Sequence, residues 1–190
     1  VSQRTNQMER TRSAIVAAAR ELADTGAEIT MPAVAAAARV SDATAYRYFP
    51  DLVTLLRAAV TVEDQVAALR AVTVSDDPVE RIGQAAEILG RAVLRRQGAV
   101  RVVVASAIAR PSTAGERPAQ RFALIDYALA PWIEANGPDE QLVRDLAVVI
   151  SAESLFTLTD LCGLSAEDAV AGLVATARRV TTAAVAAPAR

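Results

Sequence analysis

Between Ser41 and Tyr48 the chain places two hydroxyls, a carboxylate, a guanidinium and two phenols within eight positions, with Ala43 and Ala45 as the only apolar spacers. These groups donate and accept hydrogen bonds, but nothing among them makes a nucleophile and base pair. Their chemistry suits gripping phosphates and reading base edges from a helix lying in a DNA major groove. Ala43 and Ala45 keep such a helix slim, so that Asp42, Thr44, Tyr46, Arg47 and Tyr48 reach outward. Thr44 can donate to a phosphate or pack its methyl on thymine, and Tyr46 can offer its hydroxyl to a phosphate. Arg47 can read guanine or hold a phosphate. Asp42 would repel a phosphate, and its place at a base edge would be to accept from cytosine N4. Phe49 reads as core.

Other chemistry finds little material. Histidine is absent, which removes the commonest general base and metal ligand together. There is no glycine-rich phosphate loop, so no catalytic residue, metal site or cofactor is expected. The pairs Asp76-Asp77 and Glu167-Asp168 fall where loops and helix starts are expected and read as turn formers and helix-dipole partners. Cys162, the single cysteine, reads as a small buried hydrophobe. A polar beginning without a signal-type apolar region, no apolar run near 18 residues and no pairable cysteines point to a cytoplasmic chain with no membrane partner.

The net charge of -2 argues against nonspecific coating of nucleic acid. Through Arg57 seven arginines face six acids, a local excess of +1. So slight an asymmetry leaves the case to residue placement. All basic residues are arginine, as genome-wide compositional bias would produce alongside the abundant alanine and valine.

Something must hold the Ser41 to Tyr48 segment in place, and the apolar pattern predicts a scaffold that is helical nearly throughout. A first helix is expected from about Glu9 to Thr25, with Ile15, Ala18, Ala19 and Leu22 on one stripe and Gly26 as its stop. Thr30 suits the N-cap of a second, with Pro32 in its first turn and small residues Ala35 to Ala38 allowing close approach. Ser41 caps the third, ending near Phe49-Pro50. A longer helix is expected from Asp51 through Leu55, Leu56, Val62, Val66 and Leu69. Pro78 opens another, carrying Ile82, Ala86, Leu89 and Val93, with Gly98 as the next break. Val100 to Ala109 reads as a buried helix and Pro111 to Pro118 as a loop. The following helix holds Phe122, Ile125, Leu129 and Ile133, and Pro131 should kink it or end it early. One long helix from about Asp139 to Leu161 and another from Ser165 to roughly Ala186 complete the chain. Their apolar surplus marks them as a homodimer interface.

The stretch Thr30 to Leu55 resembles the DNA-binding domain of the TetR-type transcriptional regulators, through Thr30, Val34-Ala35, Ala38, Val40-Ser41, Thr44, Tyr46, Tyr48-Phe49-Pro50 and Leu55. Arg12, Ile15, Ala19, Leu22 and Gly26 extend the match upstream, and the late segment Leu161 to Ala169 is similar to the family's C-terminal domain. The resemblance implies an all-α protein. Residues 1-50 would form a three-helix helix-turn-helix domain and residues 51-190 a helical ligand-binding and dimerisation domain. It also implies a homodimer on a double-stranded DNA operator, a repressor released by an unknown small-molecule effector. Its DNA-binding residues would be Thr30, Arg39, Ser41, Asp42, Ala43, Thr44, Tyr46, Arg47 and Tyr48. Two positions depart from the family. Arg39 stands where glycine is usual and would need a positive φ, and Leu52 stands where a lysine commonly begins the fourth helix.

Candidates for effector contact are Arg101, Phe122, Asp126, Tyr127, Trp132, Glu153 and Phe156. Glu153 interrupts an apolar run and must find a partner, in the protein or in a ligand. A small enzyme, or a helical dimer module that does not touch DNA, is the competing class. The first lacks the groups for catalysis, and the second leaves Ser41 to Tyr48 unexplained.

Overall fold

The computed structural model describes residues 3–26, 28–61, 64–110 and 120–186, which are helical with no strand among them. The all-α expectation is met. The chain divides into two compact units, one comprising Val1–Glu63 with Arg95–Arg117 and the other Asp64–Leu94 with Pro118–Arg190.

In the first unit α1 (Gln3–Thr25) ends at Gly26, whose φ of +71° is the left-handed conformation that glycine adopts without strain. α2 (Met31–Ala37) begins on Thr30, whose hydroxyl accepts from the Ala33 amide at 3.2 Å. α3 (Asp42–Tyr48) follows the turn at Arg39, and α4 (Leu52–Val60) starts on Asp51, whose Oδ1 accepts from Thr54 N at 2.7 Å. Ile15 and Ala19 of α1, Val34 and Ala35 of α2, Ala45 and Phe49 around α3, and Leu55 and Ala59 of α4 bury one another. α2, α3 and α4 are each too short to persist alone, so shared burial holds the set together. The core extends past the expected boundary at residue 50 to include α4. α7 (Gln97–Ala109) joins the same unit, packing Ala99 and Val103 against Ala23 of α1 and Leu56 of α4.

The second unit contains α5 (Gln65–Val72), α6 (Pro78–Arg95), α8 (Gln120–Asn136), α9 (Glu140–Val149), α10 (Ala152–Phe156) and α11 (Ala166–Ala186). α6 meets α11 along its glycines: a Cβ at Gly90 would lie 3.3 Å from Val170. By length and hydropathy α11 could cross a bilayer. It carries Arg178 and Arg179, however, and its Ala169, Val170, Leu173 and Ala177 are buried within this unit.

Several expectations are corrected. The helix expected from Asp51 to Leu69 is two, because Asp64 caps α5 by accepting from Ala67 N at 2.9 Å; Val62 lies outside the described residues. Gly98 is inside α7, in open space, and the break falls at Arg96. The helix over Val100 to Ala109 is buried only along Val103 and Ala107, with Ile108 at 65% exposure. The helix expected from Asp139 to Leu161 is interrupted where Ser151 accepts from Ser154 N and starts α10, and Thr157–Leu161 then widens into a π-type turn. Cys162 is exposed rather than buried, sitting between that turn and Gly163, whose φ is +68°. The expected loop Pro111 to Pro118 lies outside the described residues.

Pro131 does not end its helix. Proline has no N–H, so the carbonyl four residues earlier, that of Tyr127, loses its intrahelical donor. Arg81 of α6 supplies one: Nη2 donates to Tyr127 O at 2.8 Å and Nε to Ala128 O at 2.8 Å, while Nη1 reaches Ser75 O at 3.2 Å. The guanidinium lies 5.1 Å from the Tyr127 ring, and the residue is 7% exposed. A buried cation thus repairs the backbone defect.

Candidate nucleic-acid interface

The turn between α2 and α3 is set by backbone geometry. Arg39 has a φ of 57°, as the family resemblance implied for this position, and the turn is closed by Arg39 N to Ala36 O at 3.1 Å and Val40 N to Ala35 O at 3.0 Å. That pair of bonds is the Schellman pattern, which satisfies two carbonyls at the end of α2 and offsets the unfavourable conformation. Arg39 is left with its side chain exposed at the apex.

α3 then divides into two faces. Ala45 is fully buried and Phe49 is 2% exposed, so these two, four residues apart, anchor the helix to the core. Asp42, Ala43, Tyr46 and Arg47 are exposed on the opposite side, with Thr44 and Tyr48 half-buried between. Tyr46 is 49% exposed, which makes it no part of the aromatic core. The Arg47 guanidinium sits 5.4 Å from the Tyr48 ring, a cation–π contact on an otherwise exposed residue. Arg12 covers the Phe49 ring at 5.2 Å.

The hydroxyls at the start of α3 share their protons. Ser41 Oγ accepts from Thr44 N at 3.2 Å and lies 2.9 Å from Thr44 Oγ1. Two hydroxyls hold two protons and one bond between them uses one, so the other can be donated to an incoming acceptor. Thr30 is similar, since its oxygen accepts from Ala33 N and its own O–H remains a donor. Asp42 lies in the first turn of α3, where the helix dipole favours a carboxylate.

A groove of about 840 Å³ runs beside this face, lined by Gln7, Met8 and Thr11 of α1 with Val40, Thr44, Arg47 and Tyr48. Reading the sequence locally missed the α1 contribution, because Gln7 and Thr11 lie more than thirty positions from Thr44 and no local motif marks them. At the start of α4, Asp51 is held below its ordinary carboxylate value, chiefly by the Thr54 amide. Partial burial opposes this, while the Thr54 hydroxyl, the Arg110 charge and the Val53 amide assist.

The residues expected to contact an effector are distributed differently. Arg101 belongs to α7 in the first unit. The others belong to the second, where Phe122 and Asp126 are exposed on α8, Trp132 is half-buried and Phe156 is buried. Glu153 finds a partner within the protein: Arg121 Nη2 donates to it at 3.1 Å, and Arg121 Nη1 donates to Ala147 O at 3.2 Å. Tyr127 packs its ring 5.5 Å from Arg70 and 5.1 Å from Arg81.

Residues 14–59, from within α1 to the end of α4, match the family model of bacterial regulatory proteins, tetR family. A search of curated proteins finds no match to the chain.

Proposed function

We propose that this chain, whose residues 14–59 match the model of the tetR family, is a DNA-binding transcriptional regulator, a repressor that a small molecule releases from its operator. The observation that carries the reading is the two-faced α3, with Ala45 and Phe49 anchored below and Asp42, Tyr46 and Arg47 presented above. In this reading residues 1-50 provide the DNA contacts, and residues 51-190 bind the effector and dimerise through the last two helices. The exposed apolar residues Val148, Leu161 and Val185 support the dimer. Arg47 and Tyr46 address base edges or flanking phosphates, while Thr30, Arg39, Ser41 and Thr44 hold the backbone.

Two heads on one duplex must enter successive major grooves about 34 Å apart. An effector that prefers the conformation with misaligned heads therefore lowers operator affinity, and one that binds both conformations equally changes nothing. Gel-shift of the intact protein on DNA upstream of its own gene tests the reading. Sequence-selective, salt-sensitive retardation is expected. Its absence, with no small molecule restoring it, would sink the regulator.

A further inference from the structure

The start of α1 reaches beyond the core that anchors it. Among the described residues its first buried side chain is Ile15, and every residue from Thr5 to Arg10 is exposed. Gln7 precedes Ile15 by eight positions, which at the rise of an α-helix is about 12 Å along the axis. Burial of Ile15, Val16, Ala18 and Ala19 secures the second half of the helix and leaves its first turns with no core to serve. What they do form is a wall. Gln7, Met8 and Thr11, three and four positions apart on one face, line the groove of about 840 Å³ whose other wall is Val40 and the flank of α3. Glu9, two residues past Gln7, points about 200° away around the helix. No acidic residue lines the groove, and Arg47 lines it as a cation.

The two walls carry complementary groups. Gln7 presents a carboxamide with two N–H donors. Its main-chain carbonyl accepts from Thr11 Oγ1 at 3.0 Å, which uses the Thr11 proton, but among the described residues no hydrogen bond holds the carboxamide itself. Across the groove, the Ser41 and Thr44 hydroxyls have one proton to spare. Met8, 53% exposed, and the half-buried Val40 add apolar surface. Donors and a cation set around apolar side chains suit a sugar-phosphate strand, whose oxygens take the donors and whose deoxyribose packs on the rest. Position agrees with chemistry. A helix seated in a major groove has base edges beneath its outer face and a phosphate strand along its flank, and the half-buried Thr44 and Tyr48 are the flank of α3.

We propose that this groove seats one phosphate strand of the operator and that Gln7 donates its amide to a phosphate there, making the overhanging start of α1 part of the DNA-contact surface. The inference rests on reading α3 as the DNA-reading helix, and it adds a second wall from a helix whose other half is core. Gln7 is a positioning contact: a phosphate carries no sequence information, so its contribution is uniform across operators. Because the carboxamide is neutral it releases no counterion, and the contribution is independent of salt.

The test measures operator affinity of the full-length protein between about 50 and 200 mM salt for the wild type, Q7A, Q7E and Q7K, each first checked for unchanged helicity and melting. Losing one exposed hydrogen bond costs roughly threefold per head, so Q7A should weaken binding by about tenfold for two heads. The loss should be equal for all operator variants and equal at every salt concentration. Q7E should bind more weakly than Q7A, since a carboxylate faces the phosphate. Q7K exchanges the neutral donor for a cation and should steepen the salt slope by roughly 1.8 for two heads, so that its advantage over Q7A shrinks about tenfold across the range. If Q7A binds like the wild type at every salt concentration, or Q7K leaves the slope unchanged, no phosphate lies at Gln7 and the proposal falls. If Q7A relaxes selectivity at one base step, Gln7 reads a base edge and the proposal also falls. A wild type without salt-sensitive selective binding overturns the regulator reading as well, which separates the two failures.

Discussion

The repair of α8 by Arg81 predicts a specific pattern of coupled stabilities. In R81M the aliphatic volume is largely kept but all three donations vanish. Ser75 lies in a loop and its carbonyl can turn to water, whereas Tyr127 O loses the donor that replaces the missing Pro131 amide. An orphaned carbonyl of that kind costs about 1–3 kcal/mol, and the lost bond to Ala128 O adds about 1 kcal/mol, so R81M should destabilise the protein by roughly 2–4 kcal/mol. In a P131A background the residue-131 amide exists and can donate to Tyr127 O within the helix. The same R81M substitution should then cost only about 1–2 kcal/mol. The coupling energy between the two sites is the difference, about 1–2 kcal/mol, well above the few tenths at which independent sites add.

The measurement is a double-mutant cycle by urea denaturation, with equal slopes required across the four proteins. Trp132, the single tryptophan, follows Pro131 directly, so its fluorescence reports α8 itself, and far-ultraviolet dichroism reports the whole chain. Additivity within about 0.5 kcal/mol would refute the repair. So would a P131A protein in which R81M remained as costly as in the wild type, because Arg81 would then act through packing or charge alone.

Other outcomes follow from the head. R47A should weaken operator binding, and if Arg47 reads guanine it should relax selectivity at one base step per half-site by about 1–3 kcal/mol; a uniform loss across sequences would make it a phosphate anchor, and no loss would remove it from the interface. R39G relieves the left-handed conformation at φ 57° and should raise stability by about 1 kcal/mol in thermal or urea melts while weakening DNA binding. Stability gained without loss of affinity would show that Arg39 does not touch DNA. D51A should cost about 1 kcal/mol by removing the cap of α4, and D51N less. Because the folded-state pKa of Asp51 lies below its ordinary 3.8, its ionic contribution is fully present above that value and is lost as pH falls through the lower, folded one. Acid titration of stability should therefore be flatter below about pH 4 in D51N than in the wild type, and identical curves would contradict the assignment.

What was legible in the sequence is what local chemistry decides. Thr30, Ser41 and Asp51 each accept from an amide three residues on, and that bond is fixed by residue type and position alone. The exposed and anchored faces of α3 follow from helical spacing, whereas the left-handed Arg39 was expected only from the family resemblance. The internal capping residues Asp64 and Ser151 carried the same signal but were concealed by the apolar periodicity running through them. Period alone does not separate one long helix from two shorter ones that share a face.

The rest was illegible because its causes lie far away in the chain. Pro131 is a helix breaker to any local reading, and only an arginine 50 positions earlier lets the helix continue. Glu153 needed a partner, but nothing near it in sequence named Arg121, 32 positions away. Arg96 marks a break that Gly98 was expected to make, because its side chain is tied to Asp24, 72 positions upstream.

These cases share one chemistry. Arginine is the only cation in the chain, and its guanidinium can bridge two or three acceptors at once in a fixed plane. Arg81 bridges three carbonyls, two of them more than forty positions away, Arg96 a carboxylate 72 positions away, and Arg121 a carbonyl and a carboxylate 26 and 32 positions away. A lysine at any of these places would present a single point charge and leave acceptors unmet. A sequence bias that says nothing about function by itself therefore acquires structural consequences once the chain folds. Burial then divides the arginines between two roles. Arg81 and Arg96, with deeply buried guanidinium groups, serve the fold, while Arg39 and Arg47 lie exposed at the turn before α3 and on α3 itself.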